Sequence, residues 1–201
     1  MGTWKNRPQG YTVKEPKGKA MVIPYVDLQN VFVELDEPYR AIALLSYDCA
    51  CRAIEILSLK AENITPRHIK LYQPKVKCYK VLSLAEFPWI ADRLRNTAIP
   101  ASGFVFPGSG KSGHLTYNAY HKHLRRAYGL CGIPYEGYGC ATSHSMRRSS
   151  ATHLYDAGVD PRAIMLLTGH KTLSSLEQYL GINRSVAIAS IQSARLMITK
   201  S

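Results

Sequence analysis

The stretch HSMRRSSATHLYDAGVDPRAIMLLTGHKTLSSLEQY, residues 144–179, decides how this chain folds. Its punctuation is helical. Ser143 stands as an N-cap candidate for a run that ends at Gly158. Asp160-Pro161 then supplies an N-cap followed by proline at the first helical position, and Gly169 stops that second helix. Thr172 can cap a third helix through Tyr179. In the first helix His144 and Arg147 are three residues apart, so imidazole and guanidinium share a face. They fall in the first turn, beside free backbone N–H groups and the positive end of the helix dipole. Imidazole, guanidinium and helix N-terminus together suit a phosphate. Taken alone, the pair reads more simply as a surface histidine near a surface arginine, and Ser145 and Ser149 read as helix-surface residues.

Beyond this block, apolar residues at positions 187, 188, 191, 194 and 198 recur at helical spacing. Toward the N-terminus, Thr116 can cap a helix running to Tyr128, and residues 129–142 form a Gly- and Tyr-rich connection. A short strand is expected at 103–106 and a helix at 85–95. Two β-like runs, 63–72 and 78–84, are joined by Gln73-Pro74-Lys75-Val76-Lys77, which predicts a hairpin with a lysine-bearing turn. Helices are expected at 52–59, from Pro38 through Ile42, Leu44 and Leu45, and from Val22 to Leu35. The fold class is mainly α (α+β): a helical domain with one small antiparallel β-sheet. Residues 1–20, polar and rich in Lys, Gly and Pro, read as a flexible basic arm or linker. Residues 21–181 form the domain, and 182–201 a C-terminal helix or tail, expected to pass between protomers.

A chain of 201 residues builds one full domain with a core. No apolar run approaches the roughly 18–20 residues of a membrane span, and the N-terminus lacks a signal-peptide apolar region. No membrane partner and a cytoplasmic, DNA-associated address are therefore expected. Lysine and arginine outnumber the acids 26 to 14, giving +12. From Arg93 onward the excess sharpens to thirteen bases against four acids. Such a field attracts polyanions, of which nucleic acid is the commonest, although many basic proteins bind none. The five cysteines form no C-x-x-C pair; Cys49 and Cys51 lie in an apolar stretch and read as core residues. His121 and His123 have no matching ligand cluster, so they read as a solvated helix face. Arg125 and Arg126 read likewise, with DNA backbone contact as the other reading. Neither metal nor cofactor is expected.

The H-x-x-R of His144 and Arg147, the L-x-G-H ending at His170 and a tyrosine nine residues later, Tyr179, together resemble the tyrosine recombinase (phage integrase) family. Upstream, CRAIEILSL around Arg52 resembles that family's R-x-x-E-L-x-x-L box, with Glu55 as the acidic partner. KVKCYKVLSL from Lys75 resembles its K-x-x-x-x-R-x-V-P-L hairpin, with Lys80 where arginine is common and Ser83 where proline is. The likeness runs from about Val22 to Ser185. It departs at Arg148, where a histidine usually follows, and in the irregular hairpin, which leaves Lys77 as a rival to Lys75.

The resemblance implies a catalytic domain that cleaves and rejoins DNA through a 3′-phosphotyrosine, with Tyr179 as nucleophile. Arg52 and Arg147 are then the bidentate clamp on the phosphate, and His170 a further hydrogen-bond donor to it. His144 is the candidate base, because a tyrosine with pKa of about 10 is a poor nucleophile unaided. Lys75 is the implied general acid for the leaving 5′-oxygen, and Glu55 orients Arg52. The implied partners are double-stranded DNA and further copies of the chain, as a tetramer on DNA, with accessory DNA-bending proteins as possible helpers. Too few residues precede Val22 for a separate N-terminal DNA-binding domain, so either a larger protein has been cut or the recombinase has a single domain. A type IB topoisomerase and a non-catalytic DNA-binding protein on the same fold are the competing classes.

Overall fold

The computed structural model describes residues 20–180 and, beyond them, Ile188, Ile191 and Gln192. Pro24 sets the entry to α1 (Tyr25–Glu34), within the expected Val22–Leu35 segment, and Leu28, Val31 and Phe32 form its buried stripe. Helix α2 (Tyr39–Asp48) runs through the centre, burying Ala41, Ile42, Ala43, Leu45 and Ser46. It packs on α1, on α3 (Ala53–Leu57), on α4 (Pro88–Arg95) and on α6 (His144–Asp156). Between α3 and α4 lies the hairpin, β1 (His68–Gln73) and β2 (Cys78–Ser83). The first β run is shorter than expected, because Asn63 ends a 3₁₀ turn and Thr65 closes a second turn, its Oγ1 accepting from Arg67 N and His68 N. The expected strand at 103–106 makes only an isolated bridge, Phe104 with Lys60.

Period-two alternation settles the hairpin register. Ile69, Leu71 and Gln73 point inward from β1, and Lys80 and Leu82 from β2. Ile69 pairs with Leu82, Leu71 with Lys80 and Tyr72 with Tyr79. The connecting turn, 74–77, closes at Lys77 with φ +50°, the left-handed conformation that a chain reversal of this length needs.

Local chemistry sets the other helix ends. Thr116 Oγ1 accepts from Ala119 N at the start of α5 (Tyr117–Leu130), and Asp160 from Arg162 N at the start of α7 (Pro161–Thr168). Thr172 Oγ1 accepts from Ser175 N at the start of α8 (Leu173–Leu180). The start of α6 differs from expectation. Ser143 is already helical and its hydroxyl pairs with the Tyr117 hydroxyl at 2.8 Å. Thr142 caps in its place, accepting from His144 N while Ser145 Oγ accepts from Thr142 N, the reciprocal pattern of a capping box.

Ser145 and Ser149 are buried, not at the surface as expected: every residue of α6 from Ser145 to Ala151 is buried, and His144 at its start is exposed. Ser149 Oγ accepts from the backbone N–H of Ile23, tying the chain entering α1 to α6. Cys49 and Cys51 are buried free thiols, as their setting predicted. A satellite core of Ala151, Ile164, Leu176 and Leu180 packs α6, α7 and α8 together. Burying Leu176 and Leu180 contributes on the order of 1.5–3 kcal/mol each, and this burial seats α8. No helix among the described residues is long and apolar enough to cross a membrane.

Candidate active site

The site starts at the α2–α3 turn. Ala50 adopts φ +43°, a left-handed conformation that is rare away from glycine. That turn presents two successive carbonyls to cations. The Cys49 carbonyl accepts from Lys80 Nζ at 2.9 Å, and the Ala50 carbonyl from Arg147 Nη1 at 2.9 Å. Arg52, the next residue but one, donates from Nη1 to Glu55 Oε1 at 2.8 Å. Glu55 is fully buried, and such a carboxylate is costly to hold without a cation, so the pair fixes the Arg52 guanidinium.

From α6, Arg147 enters the interior almost completely buried, and His144 keeps one side in solvent. From α7, Gly169 turns the chain with φ +74°. A Cβ there would lie 3.2 Å from Gln73 Nε2 and 3.4 Å from Lys80 Cδ, so glycine is required both by conformation and by the close approach of the hairpin. His170 follows, with Nδ1 2.8 Å from Thr168 Oγ1.

Tyr179 on α8 completes the group. Its ring centroid lies 5.1 Å from that of His170, and the Arg147 guanidinium carbon lies 5.7 Å from it. Its hydroxyl is buried and makes no hydrogen bond among the described residues. Arg148 Nε donates to the Tyr179 carbonyl at 3.1 Å, and Arg148 also bonds the Ala20 carbonyl, so the nucleophile candidate's backbone is tied to the start of the described chain. Beside the tyrosine, a cleft of about 500 Å³ opens between His144, Arg148, Tyr117 and Tyr138.

Burial and positive charge shape the protonation of these groups. Burial raises the Tyr179 phenol above its usual range, and Arg147 and Arg148 offset part of that rise. Partial burial, then the nearby Arg52 and Arg147, lower His144. His170 is pushed down to about 4, by burial first and then by Arg147, Arg52 and Lys80. Both imidazoles are therefore neutral near pH 7.

The structure thus gathers Arg147, His170 and Tyr179 in contact, with Arg52 and His144 within electrostatic reach. Lys75 is not among them: it stands exposed on the hairpin turn, as does Lys77, and neither side chain has an ion pair among the described residues. His121 and His123 stack on Tyr117 and Tyr39, at 5.6 Å and 3.7 Å between centroids. No three metal-ligating side chains cluster among the described residues. Sequence reasoning missed the contacts of Lys80 and Arg148, which it noted only as departures from a pattern, and the two carbonyls of the α2–α3 turn. Strand alternation was the one available signal, since it places Lys80 on the inner face.

Solved structures share this architecture. A lambda integrase dimer bound to a COC′ core site superposes with TM-score 0.68 at 17% identity, covering 83% of this chain and 49% of that one. The catalytic domain of bacteriophage HP1 integrase superposes with TM-score 0.62 at 17% identity, covering 87% and 95%. The fold is that of tyrosine recombinase catalytic domains. In sequence, the family model described as "Phage integrase family" matches residues 26–185, and the chain belongs to that family. Tyrosine recombinase XerC of Agrobacterium fabrum is 30% identical over 148 residues, 71% of this chain and 45% of the relative. A putative integrase/recombinase of Sinorhizobium fredii is 28% identical over 173 residues, 84% of this chain and 54% of the relative. The chain spans about half the length of these relatives.

Proposed function

We propose that this chain is the catalytic domain of a site-specific DNA recombinase that cleaves and rejoins DNA through a 3′-phosphotyrosine, in integration, excision or inversion. One observation carries the reading: a buried tyrosine hydroxyl placed beside a buried arginine and a neutral histidine.

In this reading Arg52 and Arg147 hold the non-bridging oxygens of the scissile phosphate, Arg52 kept in place by Glu55 and Arg147 by the Ala50 carbonyl. Tyr179 Oη attacks phosphorus. Because burial outweighs the cations around the phenol, its proton must pass to a base, and neutral His144 takes it. His170 presents Nε2 to the same phosphate. The phosphorus–O5′ bond breaks, and Lys75 on the hairpin turn protonates the departing 5′-oxygen. Reversal by a 5′-hydroxyl of another strand rejoins the DNA and frees Tyr179. Pairing two cleaved duplexes requires four such chains. Residues 182–201 lie outside the described residues except for Ile188, Ile191 and Gln192, and we assign this tail to contacts between protomers. Ile188 and Ile191 are 43% and 68% exposed, which supports an apolar face directed away from its own core.

The test is covalent capture. The chain is incubated with nicked duplexes of randomised sequence, and denaturant-stable adducts are isolated and sequenced. A recurrent sequence joined through Tyr179 is expected; absence of any adduct, or attachment through another tyrosine, overturns the reading.

A further inference from the structure

Lys80 is a buried ammonium, 7% exposed, on the inner face of β2. Lysine is almost never this deep unless paired with an acid. Here it makes no salt bridge; both of its hydrogen bonds go to backbone carbonyls at 2.9 Å, those of Cys49 and Leu167. Burial accordingly lowers its pKa. A position that needed only filling would be served at lower cost by leucine or methionine.

The two acceptors say what the charge does. Cys49 lies in the turn whose next carbonyl holds Arg147, and three residues before Arg52. Leu167 sits in the last turn of α7, three residues before His170. Lys80 itself belongs to the hairpin, five residues after Lys75, and its Cδ packs where Gly169 has no side chain. One ammonium therefore joins the three segments that carry the phosphate-binding groups and the exposed lysines. A hairpin of two strands is marginally stable by itself, so the placement of its tip depends on what anchors its strands.

We infer that Lys80 is a positioning residue: it locks the middle of the hairpin, at the third strand pair from its tip, to the Arg52/Arg147 turn and the His170 turn, and thereby places the general-acid lysine over the leaving 5′-oxygen. The inference rests on the general-acid reading of Lys75. Misplacing a reacting group by about 1 Å costs on the order of 10²-fold in rate, so the effect is large enough to read.

Lys80→Met, Lys80→Arg and Lys75→Ala are compared in the full chain, on the captured duplex and on the same duplex with sulfur replacing the bridging 5′-oxygen. The thiolate leaving group needs no proton. Lys80→Met should bind DNA as the unaltered chain does and cleave the oxygen substrate at least about tenfold more slowly. It should regain most of that loss on the sulfur substrate, as Lys75→Ala does, and Lys80→Arg, which restores two donors, should cleave both. Loss of equal size on both substrates, or no loss, overturns the inference. Rescue of Lys75→Ala without rescue of Lys80→Met sinks the coupling and leaves Lys75 in place. Rescue of Lys80→Met without rescue of Lys75→Ala upholds the coupling and moves the acid to another lysine of the turn. If Lys80→Met does not fold, Lys80→Gln, which removes the charge and is one bond shorter, carries the same comparison.

Discussion

Thr168 Oγ1 lies between two acceptor-capable groups, donating to the Ile164 carbonyl at 2.9 Å and standing 2.8 Å from His170 Nδ1. A hydroxyl has one hydrogen. With that hydrogen on Ile164, the oxygen can only accept from His170, so the neutral ring carries its proton on Nδ1 and a lone pair on Nε2. Nitrogen-15 spectra near pH 7 should show the Nδ1–H tautomer, and Thr168→Val should shift the ring toward a tautomer mixture. A dominant Nε2–H form in the unaltered chain would contradict the geometry.

This tautomer makes the hydrogen bond to DNA proton-dependent. From Nε2, His170 can donate to a phosphate only as imidazolium, and the diester's negative charge favours that form. Calorimetric titrations in buffers of different ionisation enthalpy should therefore show proton uptake when DNA binds. The uptake should shrink in His170→Asn; an unchanged uptake places the proton elsewhere.

Without DNA the same residue sets an acid limit on stability. Above about pH 6.5 the ring is neutral folded and unfolded. As pH falls from there toward about 4, the unfolded chain takes up a proton that the folded chain refuses, so stability declines across that window. His144 and His153 are lowered as well and act in the same direction. Tm measured from pH 7 to pH 4.5 should fall less steeply in His170→Asn than in the unaltered chain; parallel curves rule out its share.

Tyr179→Phe should bind DNA normally and form no covalent adduct. The buried hydroxyl meets the geometry of no hydrogen bond among the described residues and only faces the Arg147 guanidinium, so Tm should hold or rise.

Arg52→Ala and Arg147→Ala should each lower cleavage by at least about 10²-fold, the usual effect of removing one preorganised donor, and a loss under about threefold at saturating DNA would sink the clamp. Arg147→Ala also leaves the Ala50 carbonyl without its donor, so it should lower Tm more than Arg52→Ala.

Arg148→Met should destabilise the chain by about 1–3 kcal/mol, because the Tyr179 and Ala20 carbonyls lose a buried charged donor. Urea unfolding reads this directly. An unchanged midpoint means that other groups take over both carbonyls.

How much of this was legible in the chain follows from the range of the forces involved. Helix ends at Thr116, Asp160, Thr172 and Gly169 were readable because each is decided by groups within four residues. Even there a one-residue choice escaped: Thr142 and not Ser143 caps α6, since the Ser143 hydroxyl is engaged by Tyr117 from another helix. Two of the apolar positions named in the second expected helix, Ile42 and Leu45, are likewise buried, because burial of one face imposes the period.

The H-x-x-R, G-H and tyrosine spacing placed the site residues along the chain, but their geometry came from contacts that no spacing encodes. Alternation along β2 put Lys80 on the inner face, yet a lysine there reads as an irregularity until its acceptors appear, 31 and 87 residues away. Arg148 follows Arg147 on the same helix and stands only as a departure from the family pattern until α8 and Ala20 close over it. Ala50 carries no sequence mark of its left-handed turn, because alanine has no preference for it. Local hydrogen bonding and periodic burial are written in neighbouring residues, and so the sequence alone determined the elements and the order of the site residues along the chain. Where a buried cation finds its carbonyls depends on how distant segments pack, and only the tertiary structure decided that.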